Sequence, residues 1–248
     1  MRKVRLGRPI VLNAWINAAS ARTRLARARR KAVWYEDMPR LLDKYAPGHS
    51  FVDIGCMWNV NGGIAFEAEA RGARPVTGLD VDPPTAECRA EYQRRDSSVR
   101  FLVGDLHDPA VLSDVGPHDV VWCAGVLYHT PSPLLTLERL RSITRKYLII
   151  AAMTIPEVPG IPHACIFYPK LRDRSRLAVA ASAPGVACGL TTKFEPALDF
   201  SNWWWGMSRS ALRAMLEVSG FEIVDEGGHG NTFHTYAVCK AVSGAWFS

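Results

Sequence analysis

Four short pieces of this sequence end an apolar run in residues able to hold or attack a polar ligand. They are Asp53 and Gly55 in "FVDIGC", Asp80 in "VTGLDVD", Asp105 in "FLVGDL", and Gly125 to His129 in "WCAGVLYHTPSP". A carboxylate in such a place accepts strong, charge-assisted bonds from a pair of hydroxyls. A glycine lets backbone and ligand approach closely. A histidine can take up a proton near neutral pH. Taken singly, each has a plainer use as a helix cap, a turn or a partner for a backbone carbonyl. "DLHD" also offers Asp105, His107 and Asp108 to a metal, but one short cluster is not a ligand set, and a metal is left unassigned.

The elements that must position these residues alternate along the chain. Trp34, Met38, Leu41, Leu42 and Tyr45 follow helical spacing and stop at Pro47-Gly48, with Pro39 in the first turn or kinking the helix. Strands are expected over 50–54, 75–79, 99–103, 119–123 and 147–153, and helices over 63–71, 85–94 and 134–143. This alternation specifies βαβ units and a doubly wound, mostly parallel sheet. Right-handed crossovers then bring all four pieces to one edge of that sheet. After them, Ser208 caps a helix with Ala211, Leu212, Met215 and Val218 on its buried side. Strands at 221–224 and 235–240 then form an antiparallel ending.

Residues 154–206 lack periodicity and are rich in Pro, Gly and aromatics. An irregular stretch of this length in a compact domain is expected to work, here as a substrate lid over the sheet edge. The chain thus divides into an arm over 1–33 and a domain over 34–248 that contains the lid. Residues 1–31 hold ten Lys/Arg and no acid, leaving 20 basic against 24 acidic residues in the rest. Such an arm suits phosphates, an anionic membrane surface or an acidic substrate, or is merely a solvated leader. Asn13 and Asn17 interrupt its apolar middle, which argues against a secretory signal. The longest apolar run, 147–155, is too short to span a bilayer. The six cysteines include no C-x-x-C pair, and several fall in strands as small apolar side chains. A reducing, cytoplasmic setting follows.

In order and separation, "FVDIGC", "VTGLDVD", "FLVGDL", "DVVWCAGVLYHTPSP" and "ALRAMLEVSGF" resemble the class I S-adenosylmethionine (SAM) dependent methyltransferases, over roughly residues 34–240. The resemblance implies a Rossmann-like sheet of seven strands with a final antiparallel hairpin. It places Asp53, Gly55, Cys56, Met57 and Gly62 near the cofactor's methionine end and Asp80 with Val81 at its ribose. Asp105 and Leu106 fall beside adenine, and Ala124 and Gly125 near the transferable methyl. An NAD-binding domain shares strand, turn and acid, but its G-x-G-x-x-G fingerprint is missing.

The first loop is the least standard part. A G-x-G-x-G turn would put glycine at 57 and 59, where this chain has Met57 and Asn59. With Gly55 as first glycine and Gly62 as last, the loop is expanded by about three residues, on the family's usual spacing. Met57, Trp58 and Asn59 form its tip.

Methyl transfer needs alignment, exclusion of water and, for a hydroxyl acceptor, a base. His129 is the candidate base, and His163 and His234 are held in reserve for that role. Tyr128, His163, Tyr168, Trp203, Trp204 and Trp205 are the candidate acceptor-binding residues, the tryptophans offering flat apolar faces. The favoured function is O-methylation of a small metabolite or saccharide. The alternatives are a tRNA-modifying methyl- or carboxymethyltransferase, or a non-catalytic SAM-binding or membrane-surface partner. Nucleic acid is not favoured, because the domain outside the arm is net acidic.

Overall fold

The computed structural model describes residues 34–58, 60–155, 157–167, 204–228 and 234–243. The arm, Tyr168 and Trp203 lie outside these residues.

The described residues open with α1 (Trp34–Tyr45), which contains Pro39 in its second turn and not its first. It continues through β1 (Phe51–Ile54), α2 (Gly63–Ala70), β2 (Val76–Asp80), α3 (Ala86–Arg95) and β3 (Arg100–Val103). Next come α4 (Pro109–Val115), β4 (His118–Ala124), a 3-10 turn (Leu127–His129), α5 (Pro133–Ile143) and β5 (Thr144–Ile155). The remaining elements are β6 (Cys165–Phe167), β7 (Trp205–Ser208), α6 (Arg209–Val218), β8 (Phe221–Gly227) and β9 (His234–Ala241).

Strands β3-β2-β1-β4-β5 lie side by side and parallel. β9 adds antiparallel to β5, and β8 pairs with β9, giving the expected antiparallel ending. Alternation along the strands sorts side chains into two cores, as a doubly wound sheet requires. Val52, Val121, Cys123, Leu148 and Ile150 face the layer of α5 and α6, with Leu137, Leu140, Leu212 and Leu216. Phe51, Val120, Trp122 and Ile149 face the layer of α1 and α2, with Leu41, Leu42, Ile64 and Phe66. Cys123 and Cys239 are buried within these cores as small apolar side chains.

Two sequence expectations need correction. A helix not expected there, α4, fills the connection between β3 and β4. Asp108 caps it by accepting from Ala110 N at 2.8 Å, and Pro109 occupies its first position. The ends of the 154–206 stretch are also not irregular. β5 runs on to Ile155, where its last residues pair with β7, and β7 pairs with β6. The described residues therefore form nine strands where seven were expected.

Candidate active site

Strand order reverses between β1 and β4, the point at which an open α/β sheet forms its ligand crevice. The loops after β1, β2, β3 and β4 all open there.

Asp53, on β1, is fully buried below α2. The N-cap of α2 is Gly62, which supplies no side-chain bond to the helix's free N–H groups. Asp53 does so from the strand beneath, since its carboxyl accepts from Ala65 N–H in the first turn. Its Oδ2 is buried with no hydrogen-bond partner among the described residues. Burial, reinforced by the charge of Asp80, pushes this carboxyl up to about 8, against the pull of the Ala65 bond.

Asp80 ends β2 and ties two loops together. Its Oδ2 accepts from Met57 N at 2.7 Å, and its Oδ1 accepts from Asp82 N at 3.0 Å. Burial raises its pKa, opposed by these bonds. Each oxygen retains accepting capacity towards a ligand. Beside it Val81 is exposed, as is Val103 at the end of β3.

The expanded loop closes on itself. Gly62 N donates to Cys56 O at 2.7 Å and Asn61 N to Met57 O at 3.1 Å, while Gly62 adopts φ 77° to enter α2. Gly62 thus stands at the helix start, as expected of the last glycine. The expected tip is corrected in one respect. Met57 is buried in the core, with its backbone N–H held by Asp80, while Trp58 is exposed and Asn59 lies outside the described residues. Cys56 is likewise buried, and burial raises its thiol pKa.

Gly55 has φ 79°, and a Cβ there would lie 2.5 Å from Val126 Cγ2. Gly55→Ala combines left-handed strain with this clash and should destabilise the protein by about 2–4 kcal/mol. Val126→Ala in the same chain should recover the clash and leave about 1 kcal/mol, measured by denaturant titration of the single and double variants.

After β4, Ala124 and Gly125 form the floor, with Gly125 at φ 80° and its Cβ direction 3.5 Å from Tyr128 Oη. His129 N donates to Val126 O at 2.9 Å, and its ring lies 4.3 Å from that of Tyr128. β7 docks onto this turn. Trp204 N donates to Tyr128 O at 3.0 Å, and Trp205 Nε1 donates to Pro131 O at 2.9 Å. The Phe167 ring on β6 lies tilted 4.9 Å from that of Trp205 and 6.3 Å from that of Trp204, and is half exposed. Tyr128, His129, Trp204 and Trp205 are therefore brought together, with Phe167 as an unexpected fifth member. Aromatic character was visible in "CIFYP", but only the β6–β7 pairing puts Phe167 beside the tryptophans.

His163 is not part of this group. Its backbone N and ring Nδ1 engage Ser210 at the start of α6, beyond the far end of β7 from Trp205. Asp105 is exposed, with its Oδ1 bound by His107, and Leu106 is buried behind it. No cluster of three or more His, Cys, Asp or Glu suited to a metal occurs among the described residues.

The sheet order and the antiparallel β9, with acids near the C-terminal ends of β1, β2 and β3, match the Rossmann-like methyltransferase fold. Residues 52–150 match the family described as "Methyltransferase domain". Over 99 residues it is 28% identical to a ubiquinone biosynthesis O-methyltransferase of Vibrio parahaemolyticus. That match covers 40% of each protein, so the chain aligns with less than half of the curated relative. Among solved structures, the N-terminal domain of EvdMO1, crystallised in the presence of SAH and D-fucose, superposes with TM-score 0.56 at 16% identity. The superposition covers 83% of this chain and 82% of that one. Magnesium protoporphyrin IX methyltransferase from Synechocystis PCC 6803 with bound SAH gives 0.51 at 17% identity, over 94% and 100%. At these identities the structural likeness speaks to the fold.

Proposed function

We propose that the protein is a SAM-dependent methyltransferase that methylates a hydroxyl of a small metabolite presenting a flat face, such as an aromatic ring or a sugar. The observation that carries this reading is the convergence of Asp80, Gly55 and the His129 turn on one crevice beside an aromatic wall. The crevice suits SAM. Asp80 offers two accepting oxygens, Val81 and Val103 leave apolar surface open beside it, and Asp53 keeps a buried oxygen without a partner. Asp80 and Val81 would hold the ribose, with Asp105 and Leu106 beside the adenine. Asp53, Gly55, Cys56, Met57, Gly62, Ala124 and Gly125 would surround the methionine portion. When bound, SAM supplies a methyl already activated on a sulfonium.

The remaining work falls to the chain. Trp204, Trp205 and Phe167 present rings on which a flat acceptor can lie and exclude water from one side. Gly125 keeps the floor low below Tyr128 Oη. His129 takes the proton of the acceptor hydroxyl on a ring nitrogen, and its backbone bond to Val126 fixes the turn. The lid proposed for residues 154–206 would include β6 and the start of β7.

Two names lend support at the level of chemistry. One relative is an O-methyltransferase of ubiquinone biosynthesis, and the EvdMO1 domain was crystallised with D-fucose. Turnover of labelled SAM should therefore appear with hydroxylated aromatics or saccharides in a panel that also contains tRNA. His129→Ala should cut that turnover about 100-fold or more while leaving affinity for S-adenosylhomocysteine (SAH) nearly unchanged. Equal turnover in the variant would remove the base assignment. A tRNA acceptor is the second reading, resting on the ten basic residues of 1–31, and would show as strongly salt-dependent tRNA binding.

A further inference from the structure

We propose that His107 is a positioning residue linking the adenine side of the crevice to the turn that carries His129. This rests on the cofactor reading above. Asp105 Oδ1, in the loop after β3, is 2.9 Å from His107 N and 2.9 Å from His107 Nδ1. The other ring nitrogen, Nε2, lies 2.9 Å from Thr136 Oγ1 on α5. Thr136 Oγ1 lies 2.9 Å from Thr130 Oγ1, which donates to Leu127 O at 2.9 Å. Asp105, His107, Thr136, Thr130 and the Leu127 carbonyl therefore form one continuous chain. It starts at an exposed carboxylate and ends on the first residue of the 3-10 turn.

Proton counting gives this chain a direction. The carboxylate can only accept, so Nδ1 carries the proton towards Asp105. Thr136 and Thr130 each hold a single proton and are both buried. If Thr130 donates to Leu127, its oxygen accepts from Thr136, and Thr136 in turn accepts from Nε2–H, so the chain is complete when His107 carries a proton on each ring nitrogen. The Ser132 carbonyl, 3.2 Å from Thr136 Oγ1, shares the Thr136 proton and extends the chain to the start of α5. The two hydroxyls thus orient together, and a change at His107 is felt at Leu127. A ligand drawing on Asp105 alters its hold on His107. Through α5, it also alters the turn that sets Tyr128 and His129. Asp108, the other acid of "DLHD", is engaged in capping α4 and leaves His107 to Asp105.

The probe is adenosine, which lacks the methionine portion and so does not itself extend to the end of β4. The full chain is labelled for histidine ring NMR, and the His129 signal is assigned by its loss in His129→Gln. Saturating adenosine should shift the His129 signal. Thr136→Val, isosteric but without a hydroxyl, should reduce that shift at least fivefold, and Thr136→Ser should restore it. His107→Asn keeps an N–H near Nδ1, and His107→Gln keeps one near Nε2. A continuous chain needs both, so each variant should lose the shift as Thr136→Val does. If Thr136→Val fails to fold, the two His107 variants decide. Persistence of the shift in either His107 variant, or its absence in wild type with adenosine bound, overturns the proposal. So does failure of adenosine to bind where SAH binds. Failure of SAH itself to bind folded protein overturns the cofactor reading instead, and this inference with it.

Discussion

Asp80→Ala is expected to weaken binding of SAH by about 100-fold or more and to lower the stability of the free protein. The carboxylate would accept from both ribose hydroxyls, and two charge-assisted bonds of about 1.5 kcal/mol each give a loss of this size. The effect on stability has a separate source. Asp80 satisfies Met57 N and Asp82 N, and Met57 is buried, so its N–H would be left without a partner. An orphaned buried donor costs about 1–3 kcal/mol. Calorimetry with SAH and thermal melting of the same samples separate the two losses. A variant that melts lower but binds SAH as well as wild type would show that Asp80 serves only to join the loops.

Asp53→Asn should remove a pH dependence of stability. The carboxyl is pushed up to about 8 from an ordinary value of 3.8, chiefly by burial. The folded protein therefore holds a proton there that the unfolded chain releases. Stability from this group is complete below pH 3.8 and is lost progressively as pH rises to about 8, beyond which the loss is constant. Asparagine can keep an acceptor for Ala65 N–H without a charge to bury. The variant should hence gain on wild type between pH 5 and 9, by up to roughly 5 kcal/mol at the alkaline end. Melting curves across this range, taken without ligand, provide the check. Parallel pH profiles for variant and wild type would show that Asp53 is not the group responsible.

The sheet and its acids were legible because apolar runs ending in Asp or Gly have few other uses when they recur with helices between them. Asp80 is the clearest case, a buried strand's last residue placed at the crevice. Gly62 could be located only by assuming the expanded loop, and its left-handed φ at the start of α2 fits that assumption. Local pattern could not show that Met57 turns inward, because the loop is held by Asp80, 23 positions away, and its side chain joins a core built from distant elements. α4 is seven residues long, too short for its periodicity to stand out, although Asp108-Pro109 carried a start signal. β6 and β7 were hidden for a related reason. Strands of three and four residues exist by virtue of their partners, and the partner of β7 is the overrun of β5. The aromatic wall followed the same logic: the tryptophans were conspicuous, but Phe167 joins them only through strand pairing. His163 was a reserve base and a candidate acceptor residue in sequence, yet Ser210 ties it to a different helix.

The most direct test is calorimetric titration of the full chain with SAM and with SAH. Saturable one-to-one binding of both is expected, and Asp80→Ala should weaken it about 100-fold. If folded wild-type protein bound neither ligand, the crevice above β1, β2 and β4 would not be a SAM site, and the proposed methyl transfer would fall with it.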